Sequence, residues 1–269
     1  MIKINILQEK CIHCGACVRD CPVGVLLNNG PDPAILHGCL NCQHCLAVCP
    51  TGALICNGVR AEECMPIGAL PSAGEMLNVL RQRRSIRQYQ NVSVTVETLE
   101  QLKAALAWSP TGCNDHNLYF AIVERKEEMD FFRVNVNKML RILYASGFIA
   151  LFLPRFKRFL QDVIAGKDVI FRDAPHMIVA ATPRKAPCKE ADPWIALSYL
   201  DCYAQTLGLG TCWCGFAVHA FKWNRKLRKR LGIPHGYQVG AVLLFGKSAV
   251  EYCRSTSPRN YSIYRVGQE

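Results

Sequence analysis

Eight cysteines near the N-terminus have the types and spacing of metal ligands. They form two runs, Cys11-x-x-Cys14-x-x-Cys17-x-x-x-Cys21-Pro22 and Cys39-x-x-Cys42-x-x-Cys45-x-x-x-Cys49-Pro50. Thiolates are soft ligands and select iron–sulfur clusters or zinc. A zinc site draws four ligands from two separated pairs, whereas here two equal sets of four each close on Cys-Pro. The pattern therefore points to two 4Fe–4S clusters. In such a run the fourth cysteine serves the other cluster. Applied here, Cys11, Cys14, Cys17 and Cys49 hold one cluster, and Cys39, Cys42, Cys45 and Cys21 hold the other.

Four further features carry chemistry. Arg83-Arg84-Ser85-Ile86-Arg87 offers guanidinium forks and a hydroxyl, which suit phosphate oxygens bidentately. A solvated basic turn is the plainer reading of that segment alone. Ser109-Pro110-Thr111-Gly112-Cys113-Asn114 is a loop of small side chains that could admit a planar ligand, or be a simple turn. Gly208–Gly215 (GLGTCWCG) reads as exposed backbone N–H groups near a helix terminus. Arg254 and Arg259 add phosphate-seeking charge near the C-terminus. No G-x-G-x-x-G follows a strand, and no G-x-x-x-x-G-K-[ST] is present, so a nicotinamide site is not indicated.

The elements that must position these residues begin with a repeat. Cys11–Leu26 aligns with Cys39–Leu54 at an offset of 28 residues, matching in all four cysteines, the Pro, a Gly and the final Leu. Residues 1–58 are expected to form this module, with little core of its own, and the Gly/Pro-punctuated residues 59–74 to be a linker. Residues 75–269 then alternate helical and strand patterns. Met76–Leu80 and Val96–Trp108 have helical faces, and Ile195–Leu207 reads as a buried helix ended by Gly208. Leu118–Val123, His176–Ala181 and Gln238–Phe245 read as strands. Without βαβ regularity, this suggests an α+β class.

Composition narrows the function classes. Half of the 269 residues are hydrophobic and 20% are charged, so a packed core is expected rather than disorder. The net charge of +11 invites a nucleic-acid reading. However, two clusters at about −2 each with their thiolates, and a dianionic phosphate, would lower it to about +5. Excess base suits a holder of anionic cofactors, and no nucleic-acid partner is expected. Met1–Lys10 shows no apolar signal region, and the apolar stretch Ile142–Leu153 is about 12 residues, short of the ~20 that span a bilayer. A reducing cytoplasm and no membrane are expected. There, Cys56, Cys64, Cys113, Cys188, Cys202, Cys212, Cys214 and Cys253 are mostly small core residues, Cys113 being the one to watch. Phe221–Arg230 is read as a solvated basic face, with docking of an acidic electron carrier as its sharper alternative. Ile142–Pro154 is read as packing at a dimer core, or else as a cover over the ligand.

The N-terminal runs resemble bacterial dicluster ferredoxins. From Glu75 onward, RRSIR, SPTGCN, KDVIFRDAPHMIV (Lys167–Val179), GLGTCWCGF and the final strand with Gly246 resemble, in this order, the FMN-dependent nitroreductase family. That resemblance implies a mostly antiparallel central sheet flanked by helices, FMN as cofactor, and a homodimer with its flavin at the interface. It further implies that Arg83, Arg84, Ser85 and Arg87 bind the FMN phosphate and ribityl chain, with Arg259 and Arg254 closing over the phosphate. Pro110, Thr111 and Asn114 would reach the flavin from the partner subunit, and the backbone of Cys214 and Gly215 would lie near the reactive N5. Two departures leave the acceptor edge and the proton donor unassigned: His116-Asn117-Leu118 replaces a Gln-Pro-Trp-like segment, and GLGTCWCGF lacks an acidic residue. The implied activity passes electrons from the clusters through FMN to an organic acceptor of nitroaromatic, quinone or enone type. An external ferredoxin or flavodoxin is the candidate donor. The alternatives are an electron-transfer module that transforms no small molecule, and a zinc-stabilised nucleic-acid binder.

Overall fold

The computed structural model describes residues 3–27, 30–31, 38–145, 157–258 and 260–267. The chain divides into two compact units, Met1–Leu70 with Thr111–His116, and Pro71–Pro110 with Asn117–Glu269.

In the first unit the strand β1 (Ile4–Ile6) pairs antiparallel with β4 (Leu54–Cys56), and β4 pairs with β5 (Val59–Arg60). A short ribbon joins β2 (Leu26–Leu27) to β3 (Gly30–Pro31). The helices α1 (Ala16–Arg19) and α2 (His44–Val48) each follow the first two cysteines of a run. The sequence repeat continues into the backbone. Left-handed φ values recur at the same offset, at His13 (52°) and Asn41 (51°), Gly15 (68°) and Gln43 (60°), and Gly24 (65°) and Gly52 (64°). Such a φ costs little for glycine but strains other residues, so each loop is bent tightly around its cysteines. The core of this unit consists of Ile4, Val25, Leu26, Leu46 and Leu54 with the cysteines themselves, Cys45 and Cys56 included. A core this small needs a metal or a cross-link to hold it.

The second unit is built on a four-stranded sheet in the order β6-β7-β9-β8, where β6 is Tyr119–Val123, β7 His176–Pro183, β8 Gly210–Trp213 and β9 Tyr237–Gly246. Every pairing is antiparallel. Strand β7 is buried along His176–Thr182 because helices cover both faces. Its two-residue period sends Met177 and Val179 to one side, against α5 (Lys126–Ala145), α6 (Lys157–Ile164), α8 (Gly215–Trp223) and α9 (Arg225–Arg230). Ile178 and Ala180 go to the other, against α4 (Val96–Leu106) and α7 (Asp192–Thr206). The mixed α+β class and the antiparallel sheet are as the sequence indicated.

The helix ends follow local chemistry. Helix α3 (Ala73–Gln82) starts in a capping box, with Ser72 Oγ accepting from Glu75 N–H at 3.2 Å and Glu75 Oε2 accepting from Ser72 N–H at 2.8 Å. Thr95 caps α4, and Pro193 lies in the first turn of α7, where its missing N–H costs nothing. The KDVIFRDAP segment is a turn organised by Asp168, which accepts the N–H groups of Phe171 (2.9 Å) and Asp173 (3.1 Å) and pairs with Arg133 Nε at 3.0 Å. Gly208–Gly215 differs from its sequence reading. Gly210–Trp213 is not exposed backbone at a helix terminus but the edge strand β8, paired to β9. Its apolar, β-branched and aromatic side chains favour a strand once β9 is available as partner.

No helix among the described residues is long and apolar enough to cross a membrane. Of the apolar stretch Ile142–Pro154, residues 146–154 lie outside the described residues.

Candidate functional site

The cysteines of the two runs converge on two cavities of the first unit, and each cavity mixes the runs. Cys11, Cys14, Cys17 and Cys49 line a hollow of about 420 Å³ together with Gly15, Ala16 and Ala53. Cys21, Cys39, Cys42 and Cys45 line a second, much narrower one with Pro22, Val25 and Leu40. Backbone N–H groups aim at the sulfurs: Ala53 donates to Cys49 Sγ at 3.3 Å and Asn41 to Cys39 Sγ at 3.4 Å. Burial works against thiolate formation and pushes the Cys45 thiol up to about 12, aided by the neighbouring Cys56. At Cys49 burial also raises the value, but hydrogen bonds from Ala53 and Thr51 outweigh it and bring the thiol down. Among the described residues no three His, Cys, Asp or Glu side chains meet where a single ion could sit. The four cysteines at each cavity are the donor number that a 4Fe–4S cluster takes.

In the second unit, Arg83–Arg87 runs along the free edge of β8. Ser85 bridges Thr211 in parallel, and Ile86 N–H donates to Thr211 O at 2.8 Å. This close approach requires glycine at 210, since an added Cβ would lie 2.5 Å from Ile86 Cγ1. The RRSIR and GLGTCW segments are therefore one construction, joined beneath a cavity of about 690 Å³. Arg81, Arg84, Gln205, Gly208, Thr211 and Arg254 are in its lining. Arg84 gives Nη1 to the carbonyls of Arg81 (2.8 Å) and Arg83 (2.7 Å), while its Nη2 is buried with no partner. Gln205 Nε2 is a second buried donor without a partner. A buried guanidinium nitrogen left unsatisfied is costly, and a phosphate or polar ligand in this cavity would relieve it.

Arg83 and Arg87 take other partners. Arg87 Nη1 returns to Ser85 O at 3.2 Å. Arg83 lies 3.7 Å from Asp201, a carboxylate in α7 that is 4% exposed. Asp201 also accepts the Thr211 hydroxyl and Trp213 Nε1 (3.1 Å), and Trp213 stacks on Trp194 with ring centroids 5.0 Å apart. Asp201 thus ties Arg83 to β8. It escaped the sequence reading, although a lone acid within the apolar run Trp194–Thr206 is the signal that marks it. Asp201→Ala should cost about 2–3 kcal/mol in denaturant unfolding, because the Thr211 and Trp213 donors lose their acceptor; Asp201→Asn, which keeps an acceptor oxygen, should cost less.

The remaining sequence candidates are placed as follows. Cys214 is the N-cap of α8, and its N–H is committed to Val242 O at 2.9 Å, so Gly215 supplies the first helical N–H. The Cys214 thiol faces Ile170 O at 3.3 Å, and burial pushes it up to about 12. Pro110 is exposed. Thr111 and Asn114 belong to the first unit, where Asn114 Nδ2 donates to the carbonyls of Leu40 (3.0 Å) and Asn41 (3.1 Å), and Asn114 Oδ1 meets His116 Nε2 at 2.8 Å. The Asn114 amide is thus occupied in holding a cysteine loop. Arg259 lies outside the described residues.

The nitroreductase family model matches residues 80–247, which takes in RRSIR, β8 and the whole sheet. The chain belongs to the nitroreductase family. A 4Fe-4S binding domain model matches residues 4–27, the first cysteine run. No curated protein matches the chain. Among solved structures, this nitroreductase-family chain is similar to an FMN-bound nitroreductase from Desulfitobacterium hafniense (24% identity, TM-score 0.59, 71% of this chain and 98% of that one). It is likewise similar to an FMN-bound nitroreductase from Bacteroides fragilis (18%, TM-score 0.59, 71% and 98%). A third is the FMN-dependent nitroreductase NfnB from Mycobacterium smegmatis in complex with NADPH (16%, TM-score 0.52, 66% and 90%). These likenesses establish the nitroreductase fold for this chain.

Proposed function

We propose that this chain is an iron–sulfur flavoprotein oxidoreductase in which two 4Fe–4S clusters feed an FMN that reduces an organic acceptor. Residues 1–58 carry the cluster-binding domain and 75–269 the flavin domain, and 59–74 joins them, with Val59–Arg60 adding β5 to the first unit and Ala73 opening α3. The observation that carries the reading is the mixing of runs: Cys49 joins Cys11, Cys14 and Cys17 at one cavity, and Cys21 joins Cys39, Cys42 and Cys45 at the other. Bound in these sites, the clusters supply single electrons and the flavin delivers a hydride equivalent.

The residues' own contribution is binding and orientation. Arg84, with Arg254 on the same cavity, offers guanidinium donors for the FMN phosphate, and Ser85 and Arg87, outside that lining, are assigned to the phosphate and ribityl chain by the family resemblance alone. Arg83 is held beside them by Asp201. The Gly215 N–H at the start of α8 supplies a donor for the electron-rich edge of the ring. Immediately beyond it, Phe216, His219 and Trp223 of α8 face Val136, Met139 and Ile142 across a mostly apolar hollow of about 780 Å³. A flat, apolar acceptor suits such a hollow, which favours an enzyme over a pure electron carrier. The FMN-bound relatives support the cofactor, and a homodimer sharing the flavin, working in the cytoplasm, completes the reading.

Anaerobic turnover of nitroaromatic, quinone and enone panels tests it. Reduced ferredoxin or flavodoxin should drive turnover faster than NADPH does. Equally rapid NADPH-driven turnover without any ferredoxin would contradict the clusters as the electron inlet.

A further inference from the structure

Cys56 lies outside both cysteine runs, yet it sits among their ligands. It ends β4, is 1% exposed, and lines the same narrow cavity as Cys21, Cys39, Cys42 and Cys45. Its thiol donates to Asn41 Oδ1 at 3.5 Å, and Cys45 lines the same cavity beside it. Asn41 gives its own N–H to Cys39 Sγ at 3.4 Å and accepts Asn57 Nδ2 at 2.8 Å. The cavity of Cys11, Cys14, Cys17 and Cys49 has no fifth cysteine in its described lining. The repeat explains the difference, since the position 28 residues before Cys56 is Asn28.

We propose that Cys56 is a thiol hydrogen-bond donor to the cluster ligated by Cys21, Cys39, Cys42 and Cys45, and that it holds this cluster's reduction potential above the level its burial would otherwise impose. The inference rests on the two-cluster reading. Once Cys45 is a ligating thiolate, the Cys56 S–H proton has two acceptors, and the anionic sulfur is the stronger. Asn41 Oδ1 loses little, because Asn57 continues to donate to it. A narrow site with Cys45 and Cys56 buried in its wall disfavours the extra negative charge that reduction brings. A donor at the sulfur offsets this, and hydrogen bonds to sulfur and solvent exposure are established determinants of cluster potential. The other cluster, in the roomier cavity, has no such thiol beside it.

An EPR-monitored redox titration of the full-length, anaerobically reconstituted protein tests this. Cys56→Ala should retain wild-type iron and sulfide and lower one cluster's one-electron reduction constant about tenfold, a shift of about 59 mV. The other wave should stay in place. The wave that moves should be the one that Cys21→Ser also alters, and Cys56→Ser, whose hydroxyl can donate, should stay near wild type. Unmoved waves, equal shifts of both waves, or iron loss in both Cys56 variants would each overturn the proposal. Wild-type protein lacking iron would instead overturn the two-cluster reading and this inference with it, so the two failures are distinguishable.

Discussion

Cys39→Ala should remove at least half of the protein's iron and sulfide while leaving its flavin content unchanged. Cys39 shares a cavity with Cys21, Cys42 and Cys45, and none of the four lines the other cavity. A cubane that loses one of its four thiolates loses a quarter of its protein ligands, and no other cysteine run is within its cavity to replace it. The consequence extends to folding, because the apolar core of the first unit is a handful of side chains packed against these cysteines. In such small domains metal-binding free energy is folding free energy, of order 10 kcal/mol for structural sites. The first unit should therefore melt early, seen as protease cleavage within the first 60 or so residues, a span set by the small-domain limit. The four-stranded sheet of the second unit has its own core on both faces and should survive. Iron content equal to wild type would remove Cys39 from the ligand set.

Arg84→Ala should weaken FMN binding by roughly 10- to 100-fold, the equivalent of about 1.5–3 kcal/mol for a charge-assisted hydrogen bond. Its effect on the stability of the flavin-free protein should be small, because losing the Nη1 bonds to the Arg81 and Arg83 carbonyls is offset by removing the unpaired Nη2. Arg84 Nη2 is buried and unpaired, so the substitution removes a desolvated donor as well as a clamp. Arg84→Met, which keeps the packing of the stem, should show the same affinity loss with less effect on the cavity wall. Flavin titration by fluorescence quenching, alongside denaturant unfolding of the apoprotein, separates the two effects. Unchanged FMN affinity would move the phosphate site away from this cavity.

The sequence was most informative where covalent spacing decides geometry. Two tight loops at the same offset carry the same left-handed positions, so the cysteine repeat was a structural repeat as well. Strongly patterned elements were also legible: β6, β7, β9, α4 and α7 lie within a few residues of their expected ranges. Elements that depend on a partner were not. Gly210–Trp213 is short and glycine-led, and becomes a strand only because β9 and the Ser85–Ile86 segment lie on either side. Helix α5 was missed because Val134, Val136 and Ile142 weaken its intrinsic propensity, and burial of Met129, Phe132, Val136 and Leu140 supplies what propensity lacks. Asp201 and Cys56 were passed over for a similar reason. A lone acid in a helix and a lone cysteine after a run look unremarkable until the fold brings Thr211 and Trp213 to one, and Asn41 and the cavity of Cys45 to the other.

The most direct measurement is a combined iron, sulfide, zinc and flavin analysis of anaerobically purified full-length protein. Two 4Fe–4S clusters and one flavin require about eight iron, about eight sulfide and about one FMN per chain, in a brown protein that dithionite bleaches. A colourless protein carrying zinc in place of iron, or iron without flavin, would contradict the reading of this nitroreductase-family chain as a cluster-fed flavoenzyme.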